Sequence, residues 1–259
     1  MSSLLTNSSA MTALQTLSHV NKNLATTQNR ISTGQRVSTA SDNAAYWSIA
    51  SGMRAQNGAL SAVQDALGLG AAVLDTASSA LEEAISKTEQ ILAKYVARST
   101  PGTDTAAIDA EITQLSAQVT SIAQNATFQG INMLETGGTA ANIVVGYDGT
   151  AGVDTMAVAA YDLEAAIGGV SDAATTETAL TAMRAAAATI GAAKARVDSQ
   201  KAFTSKLMDS IDRGVGQLVD ADMEAESARL SALQVQQQLG IQALSIANGS
   251  SQTILALFR

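Results

Sequence analysis

A single apolar stripe runs from Ile49 to Tyr95, and it constrains this chain more than any other feature. Steps of four and three residues, taken in alternation from Ile49, meet only three positions that break the apolar series: Gln56, Gly70 and Thr88. An α-helix turns once in ~3.6 residues, so a sustained spacing of ~3.5 keeps these side chains on one side of the helix. At ~1.5 Å per residue the helix would be on the order of 70 Å long, and other long helices must cover its stripe. We name the stripe the rod seam and place in it Ile49, Met53, Leu60, Val63, Leu67, Leu74, Leu81 and Ile91.

Further helical patterns along the chain can supply that cover. The predicted helices are 9–33, 45–98, 104–127, 176–213 and 222–257. The turn Ser99–Gly102 holds the only proline, Pro101, and so short a connection makes the helices before and after it antiparallel. The sequence therefore predicts a mainly α fold, a long antiparallel helical bundle or coiled coil built from both chain ends, with a small β-hairpin in the middle.

The ends of these helices carry local signals of their own. Gly34 is expected to end the first helix, because glycine readily adopts the left-handed conformation found at helix C-termini. Gly214 and Gly216 are expected to loosen the helix that precedes the last one. We expect N-caps from Ser41 or Asp42, from Thr103 or Asp104, and from Asp220 or Asp222.

The β-hairpin is predicted where the pattern changes, between residues 130 and 170. Asn142–Tyr147 and Thr155–Tyr161 are two short runs of β-branched and apolar residues, and Asp148 and Gly149 lie between them. An Asp-Gly pair between two such runs is typical of a hairpin turn.

The two chain ends lack charge, whereas the middle is charged. No Asp, Glu, Lys or Arg precedes Lys22, and none occurs from Leu230 to Phe258. The last helix is nevertheless too rich in glutamine for a bilayer span, so we expect the two terminal helices to pair and further copies of the chain to cover what remains. Contacts between unlike surfaces of identical copies give an open helical polymer. The expected self-assembly core comprises Leu14, Leu17, Leu24 and Ile31 in the first helix and Leu230, Leu233, Leu239, Ile241, Leu244, Ile246, Ile254, Leu257 and Phe258 in the last.

Several function classes are disfavoured. His19 is the only histidine, which disfavours a histidine base or a histidine metal cluster. There is no cysteine, so a disulfide framework or a thiolate metal site has no residues to use. The net charge of −8, with no basic stripe, argues against nucleic acid. No nucleophile, zinc or phosphate-loop motif is present, and we expect neither an enzyme nor a cofactor. Met1–Leu17 lacks the basic and continuous apolar regions of a cleaved secretory signal.

Six short segments, in this order, resemble those of bacterial flagellin, the subunit of the flagellar filament. The likeness covers the N-terminal part to Leu134 and the C-terminal part from about residue 180. The segments are Asn29–Val37, Ser41–Ala45, Ala110–Gln114, Asn125–Gly130, Asp220–Glu224 and Ile254–Arg259.

The resemblance implies a structural protein that polymerises with itself into an extracellular filament used for swimming. It implies an inner core domain of residues 1–40 with 220–259 and a rod domain of residues 41–219, without large outer domains. In the family the terminal segments fold on polymerisation, and the subunit is exported without a cleaved signal. The implied partners are the chain itself, the flagellar export apparatus, an export chaperone on Leu230–Phe258, and hook-associated and cap proteins. Nucleic acid and membrane insertion are not expected.

The resemblance also gives three positions equivalent to the family's innate-immune epitope: Lys87, Ile91 and Glu111. The family has an arginine where Lys87 stands, and lysine cannot make the bidentate contacts of arginine. Glu89 replaces a further arginine of many members. We therefore expect weak recognition by the animal flagellin receptor.

Three alternatives stay open beside the filament subunit. A hook–filament junction protein shares the terminal helices but usually has larger middle domains. A signalling coiled coil would carry charged flanking positions along its whole length. An export-system translocator that meets membranes would have an apolar stretch without so many glutamines and asparagines.

Overall fold

The computed structural model describes residues 7–149 and 152–257, with side chains described as far as residue 249. The elements within these residues are α1 (Ser8–Thr33), α2 (Ala44–Arg98), α3 (Thr105–Asn125), β1 (Thr127–Phe128), β2 (Ile131–Asn132), β3 (Ala141–Asp148), β4 (Gly152–Val158), α4 (Leu163–Gly168), α5 (Ala173–Val219) and α6 (Met223–Leu257). The predicted class is confirmed: the fold is mainly helical, with long helices from both chain ends and a small antiparallel hairpin between them. The short β1–β2 pair and α4 were not predicted.

Most predicted helix ends are also confirmed. Gly34 ends α1 with a left-handed φ of 69°. Asp104 caps α3 by accepting from the backbone N–H groups of Ala106 and Ala107, and Asp222 accepts from those of Glu224 and Ala225 at the start of α6.

The predicted cap of α2 is wrong. Asn43, and neither Ser41 nor Asp42, accepts from the N–H groups of Ala45 and Tyr46. The side chain of Asp42 binds residues of the connector that precede α2. Its Oδ2 accepts from the backbone N–H groups of Ser38 and Thr39 and from the hydroxyls of both residues. The carboxylate therefore orders the connector before the helix begins.

The expectation that Gly214 and Gly216 loosen the preceding helix is also wrong, because α5 continues to Val219. A Cβ on Gly214 would lie 2.9 Å from Cε of Met53, and one on Gly216 would lie 2.9 Å from Oδ2 of Asp220. These glycines make room for close neighbours while the helix continues.

The described chain divides into two compact units. The terminal unit consists of the residues up to Ala55 and those from Ile211 onward, and the middle unit is Gln56–Ser210.

The middle unit is built around the rod seam. Leu60, Val63, Leu67, Leu74, Leu81 and Ile91 are buried there. Side chains from α3, α5 and the hairpin complete the core, among them Val119, Met183, Ile190 and Val197.

At the start of the rod seam, which lies in the terminal unit, the buried position differs by one residue from the predicted one. Ile49 is 53% exposed, and Ala50 is buried in its place. Met53 is half-buried and lies against Gly214 of α5.

The hairpin β3–β4 packs on α2 in the middle unit. Ala141 lies opposite Val158, and Ile143 opposite Met156, and all four side chains are buried. Ile143 rests directly on Gly70, where an added Cβ would lie 2.4 Å from its Cγ2. The glycine that interrupts the rod seam in the sequence therefore makes room for the hairpin. The second strand ends before its predicted limit of Tyr161, whose N–H bonds to the carbonyl of Met133.

Candidate assembly surface on the terminal helices

The terminal unit is organised by an antiparallel pairing of α1 with α6. The side-chain amide of Asn7 donates to the carbonyl of Ala247 over 2.9 Å at one end of the pair. At the other end the N–H of Ala221 donates to the carbonyl of Gly34, also over 2.9 Å.

Both helices turn a regular face inward, with alternate steps of three and four residues. These inward residues are half-buried or buried, and they are Ala10, Ala13, Leu17, Val20, Leu24, Thr27 and Ile31 on α1 and Glu226, Leu230, Leu233, Gln237, Gly240, Leu244 and Ala247 on α6. Alternation of three and four residues is the spacing of a coiled coil. Leu17 fits against Gly240, where an added Cβ would lie 3.2 Å from its Cδ1.

The inward faces also carry polar contacts that the sequence did not indicate. The Arg30 guanidinium donates to Oε1 of Glu226 over 3.0 Å, and the Glu226 residue is only 7% exposed. The amide of Gln237 donates to Asn21 over 2.8 Å. No local signal in the sequence pairs Arg30 with Glu226, which lie 196 positions apart.

The outward faces expose large apolar side chains. Six of them have between 54% and 72% of their surface accessible: Met11, Leu14, Val235, Leu239, Ile241 and Ile246. Val235, Leu239 and Ile246 follow one another at steps of four and seven residues, so they share one side of α6. A shallow cavity on α1 lies along Met11, Leu14, Gln15 and His19.

The predicted self-assembly residues thus fall into two sets. Those between α1 and α6 are Leu17, Leu24, Ile31, Leu230, Leu233 and Leu244. Leu14, Leu239, Ile241 and Ile246 face away from this pairing. Phe258 and the side chains of Ile254 and Leu257 lie outside the described residues.

The connector between α1 and α2 is fastened to the end of α5. The N–H groups of Arg36 and Val37 both donate to the carbonyl of Val219, over 2.6 and 3.3 Å. The guanidinium of Arg36 also donates to the carbonyl of Leu218 and lies 6.0 Å from the centre of the Tyr46 ring. Asp42 accepts its four bonds in the same connector, and the Thr39 N–H, the largest cause, holds the pKa of this carboxyl below its ordinary value.

The three positions equivalent to the immune epitope are not presented together. Lys87 pairs with Glu83 over 3.2 Å, and Glu111 pairs with Lys94. Ile91 is completely buried in the core of the middle unit. A receptor could therefore touch Lys87 and Glu111 on the folded subunit, whereas Ile91 is inaccessible.

The described residues offer little for chemistry. They contain no group of three or more His, Asp or Glu side chains placed to hold a metal ion. Among the same residues, no helix combines the length and apolarity that crossing a membrane requires.

Comparison with known proteins gives concordant matches. Residues 4–139 match the family model described as the bacterial flagellin N-terminal helical region, and residues 173–258 match that of the C-terminal helical region. Flagellin of Brucella melitensis biotype 1 is 51% identical over 283 aligned residues, with all of both chains covered. Flagellin C of Rhizobium meliloti (strain 1021) is 43% identical over 320 residues, again with full coverage of both.

Proposed function

The chain belongs to the bacterial flagellin family, and from that premise we propose that it polymerises through its terminal helices into the flagellar filament used for swimming. The observation that carries this proposal is the outward apolar surface of the α1–α6 pair. Pairing inside one copy buries one face of each helix and leaves six large apolar side chains facing water.

Water makes that exposure unfavourable. Fully burying a side chain of this size is worth about 1.5–3 kcal/mol. Since between 54% and 72% of each of the six is exposed, covering all of them would contribute about 5–10 kcal/mol before the entropy cost of association. A neighbouring copy can provide this cover, and the charge-free stretch from Leu230 to Phe258 adds no charge that would need a partner on contact.

The arrangement of the surface permits an open polymer. Met11 and Leu14 lie on α1, whereas Val235, Leu239 and Ile246 lie on α6. If the outward face of α6 in one copy meets that of α1 in the next, the first copy keeps a free α1 face and the second keeps a free α6 face. Such a head-to-tail contact repeats without closing and generates a helical filament.

The family premise supports further assignments, which we also propose. Residues 1–40 with 220–259 form the inner core of the filament, and residues 41–219 form its rod layer. The subunit is exported without a cleaved signal through the flagellar apparatus, with a chaperone on the terminal helix before export. In the extracellular filament it meets hook-associated and cap proteins at the two ends.

Point substitutions on the outward face test the proposal. Leu239→Asp and Ile246→Asp each add one charge at an exposed apolar position, so the stability of the free chain should change little. The same charge should disrupt a contact with a neighbouring copy from which water is excluded. We expect seeded elongation to slow by roughly 100-fold, which corresponds to about 2.8 kcal/mol.

Ser227→Asp is the matched control, since it adds the same charge to the first turns of α6, where charged residues already occur. We expect this variant to elongate seeds at the wild-type rate. Normal elongation by both Leu239→Asp and Ile246→Asp would rule out the outward face of α6 as the assembly surface.

A further inference from the structure

We propose that neighbouring copies also bind each other through two surfaces of the middle unit, one with exposed cations and one with exposed carboxylates. We name them the α5 patch, which is Arg196, Phe203 and Lys206, and the hairpin patch, which is Tyr147, Asp148, Val153 and Asp154. The proposal rests on the proposed function, because it names a second contact between copies of the same polymer.

The charge of the middle unit limits where two copies can attract each other. The unit carries eight Lys and Arg against seventeen Asp and Glu, so two copies repel each other overall. Five of the eight cations already form ion pairs within their own unit: Lys87, Lys94, Arg98, Arg184 and Lys194. The other three, Arg196, Lys201 and Lys206, lie on α5 and form no ion pair with any residue that the structure describes. An acidic surface of a neighbouring copy is therefore attracted most strongly to this part of α5.

Two of these three cations share one side of α5 with an exposed aromatic ring. Arg196, Phe203 and Lys206 follow one another at steps of seven and three residues, which places them on one face of the helix. Phe203 is 57% exposed. Lys201 faces another way, because two residues turn an α-helix by about 200°. The α5 patch therefore has an apolar centre with a cation on each side of it.

The hairpin patch has the complementary chemistry. Tyr147 and Val153 lie opposite each other in the β3–β4 ladder, and they are 37% and 57% exposed. Asp148 and Asp154, the residues that follow them, are exposed as well. The sequence from Ser99 to Met183 has no Lys or Arg. The hairpin patch therefore has an apolar centre with carboxylates beside it, in an acidic part of the unit.

A second copy is needed to bring the two patches together. Within one copy Tyr147, Val153 and Phe203 all stay exposed, so neither patch covers the other. The patches are unlike surfaces of one chain, and contacts between unlike surfaces of identical copies can repeat without closing. The contact between patches can therefore repeat in the same polymer as the contact between terminal helices.

Cysteine cross-linking inside filaments tests whether the patches meet, because the chain has no cysteine of its own. Thr155→Cys places a thiol on the strand face of Val153, two residues further along. Ser199→Cys places one on the side of Phe203, four residues earlier. Both positions are exposed, and all residues of the two patches stay in place. Seeds are elongated with the full chain under reducing conditions, and the filaments are then treated with a short bismaleimide.

We expect Thr155→Cys/Ser199→Cys filaments to give a ladder of joined copies on a denaturing gel, because each copy offers a thiol to two neighbours. A mixture of chains that carry only Thr155→Cys and chains that carry only Ser199→Cys should give dimers and nothing larger. Each single variant alone should give monomers. The matched control is Thr155→Cys/Thr178→Cys, whose second thiol lies about 32 Å from Ser199 along the exposed surface of α5, and it should give no ladder.

Charge exchange tests the same contact without cysteines. Lys206→Glu should slow seeded elongation about tenfold relative to Lys201→Glu, which changes the net charge equally on another side of α5. Adding Asp154→Lys to Lys206→Glu should restore most of the lost rate, because the two charges then attract again.

Each outcome bears on one of the two proposals. Filaments of Thr155→Cys/Ser199→Cys that give no ladder would overturn the contact between patches and leave the proposed function standing. Equal elongation by Lys206→Glu and Lys201→Glu would also overturn it, and this comparison decides if the double cysteine variant does not elongate. If the unsubstituted chain fails to elongate seeds, the proposed function falls, and the contact between patches falls with it.

Discussion

Replacing Gly70 with alanine should destabilise the middle unit, although alanine is the better helix former. A methyl group at this position would lie 2.4 Å from Cγ2, 3.0 Å from Cγ1 and 3.2 Å from Cβ of Ile143. Ile143 is buried and β-branched, so it cannot rotate away from the contact. Overpacking of this kind costs about 1–3 kcal/mol, against a gain of about 1 kcal/mol in helix propensity.

Gly68→Ala is the matched control, because the same methyl group added two residues earlier in α2 meets nothing within 4 Å. The propensity gain is common to both variants, so the difference between their free energies of unfolding isolates the overpacking, about 1–3 kcal/mol. For a chain of this size that difference corresponds to roughly 2–6 °C in Tm.

The assay is thermal and urea unfolding of the full chain, followed by circular dichroism at the helical minimum. We expect Gly68→Ala to unfold at or above the wild-type temperature and Gly70→Ala below it. Equal stability of the two variants would refute the close docking of the hairpin on α2. Adding Ile143→Ala to Gly70→Ala should give less than the sum of the two separate losses, because the two side chains share one space.

Three further predictions concern the connector, the start of α2 and the charge of the middle unit. Because the hydrogen bonds from Thr39 and Ser38 lower the folded pKa of Asp42, its contribution to stability is present above the unfolded pKa, about 4, and is lost as pH falls through the lowered folded value. Asp42→Asn should therefore flatten the acid limb of a stability–pH curve and leave its slope above pH ~5 unchanged; an unchanged acid limb would contradict this. Asn43→Ala should cost about 1 kcal/mol as a lost N-cap, whereas Ser41→Ala should be neutral, and equal losses in urea unfolding would show that Asn43 is not the cap. The middle unit has eight Lys and Arg against seventeen Asp and Glu, and Ser99–Met183 contains ten acidic residues and no basic one. At low ionic strength, repulsion between these acidic units should oppose the association of copies. Seeded elongation should therefore accelerate between 10 and about 150 mM salt, as the Debye length shortens from about 30 to 8 Å. Elongation that is independent of salt would count against close packing of middle units.

The sequence predicted the fold class because helix periodicity is a repeated signal. The rod seam has an apolar residue at nearly every turn of α2, so the pattern remains recognisable despite isolated exceptions such as Gln56. The burial of Ala50 in place of Ile49 was not predictable, because both residues are apolar and either can continue the stripe. Which of the two is buried is a property of the packed helices and is not visible in one segment.

The errors at the helix ends have a similar origin. Ser41, Asp42 and Asn43 are all good N-caps, and the choice among them depends on which other donors the connector offers. Asp42 has Ser38 and Thr39 within reach, so Asn43 is left for the helix. The helix α5 continues through Gly214 because of the way it packs, and helix propensity alone could not predict this.

For the candidate assembly surface, the sequence predicted which residues of the terminal helices contribute, but it did not predict which way each of them faces. The absence of charge from Leu230 to Phe258 predicted that other protein covers the last helix. Which of its apolar residues face α1 and which face outward required the observed pairing, in which Leu233 and Leu244 point inward and Leu239 and Ile246 point outward. The ion pair between Arg30 and Glu226 joins residues 196 positions apart, and nothing local indicates it.

The most direct test of the central claim is seeded polymerisation of the purified full chain, beside a version that lacks residues 230–259, followed by electron microscopy. If assembly depends on the terminal helices, the full chain will elongate the seeds into filaments, and the truncated chain will remain monomeric at the same concentration. Filaments from the truncated chain, or a full chain that stays monomeric in the presence of seeds, would contradict the claim.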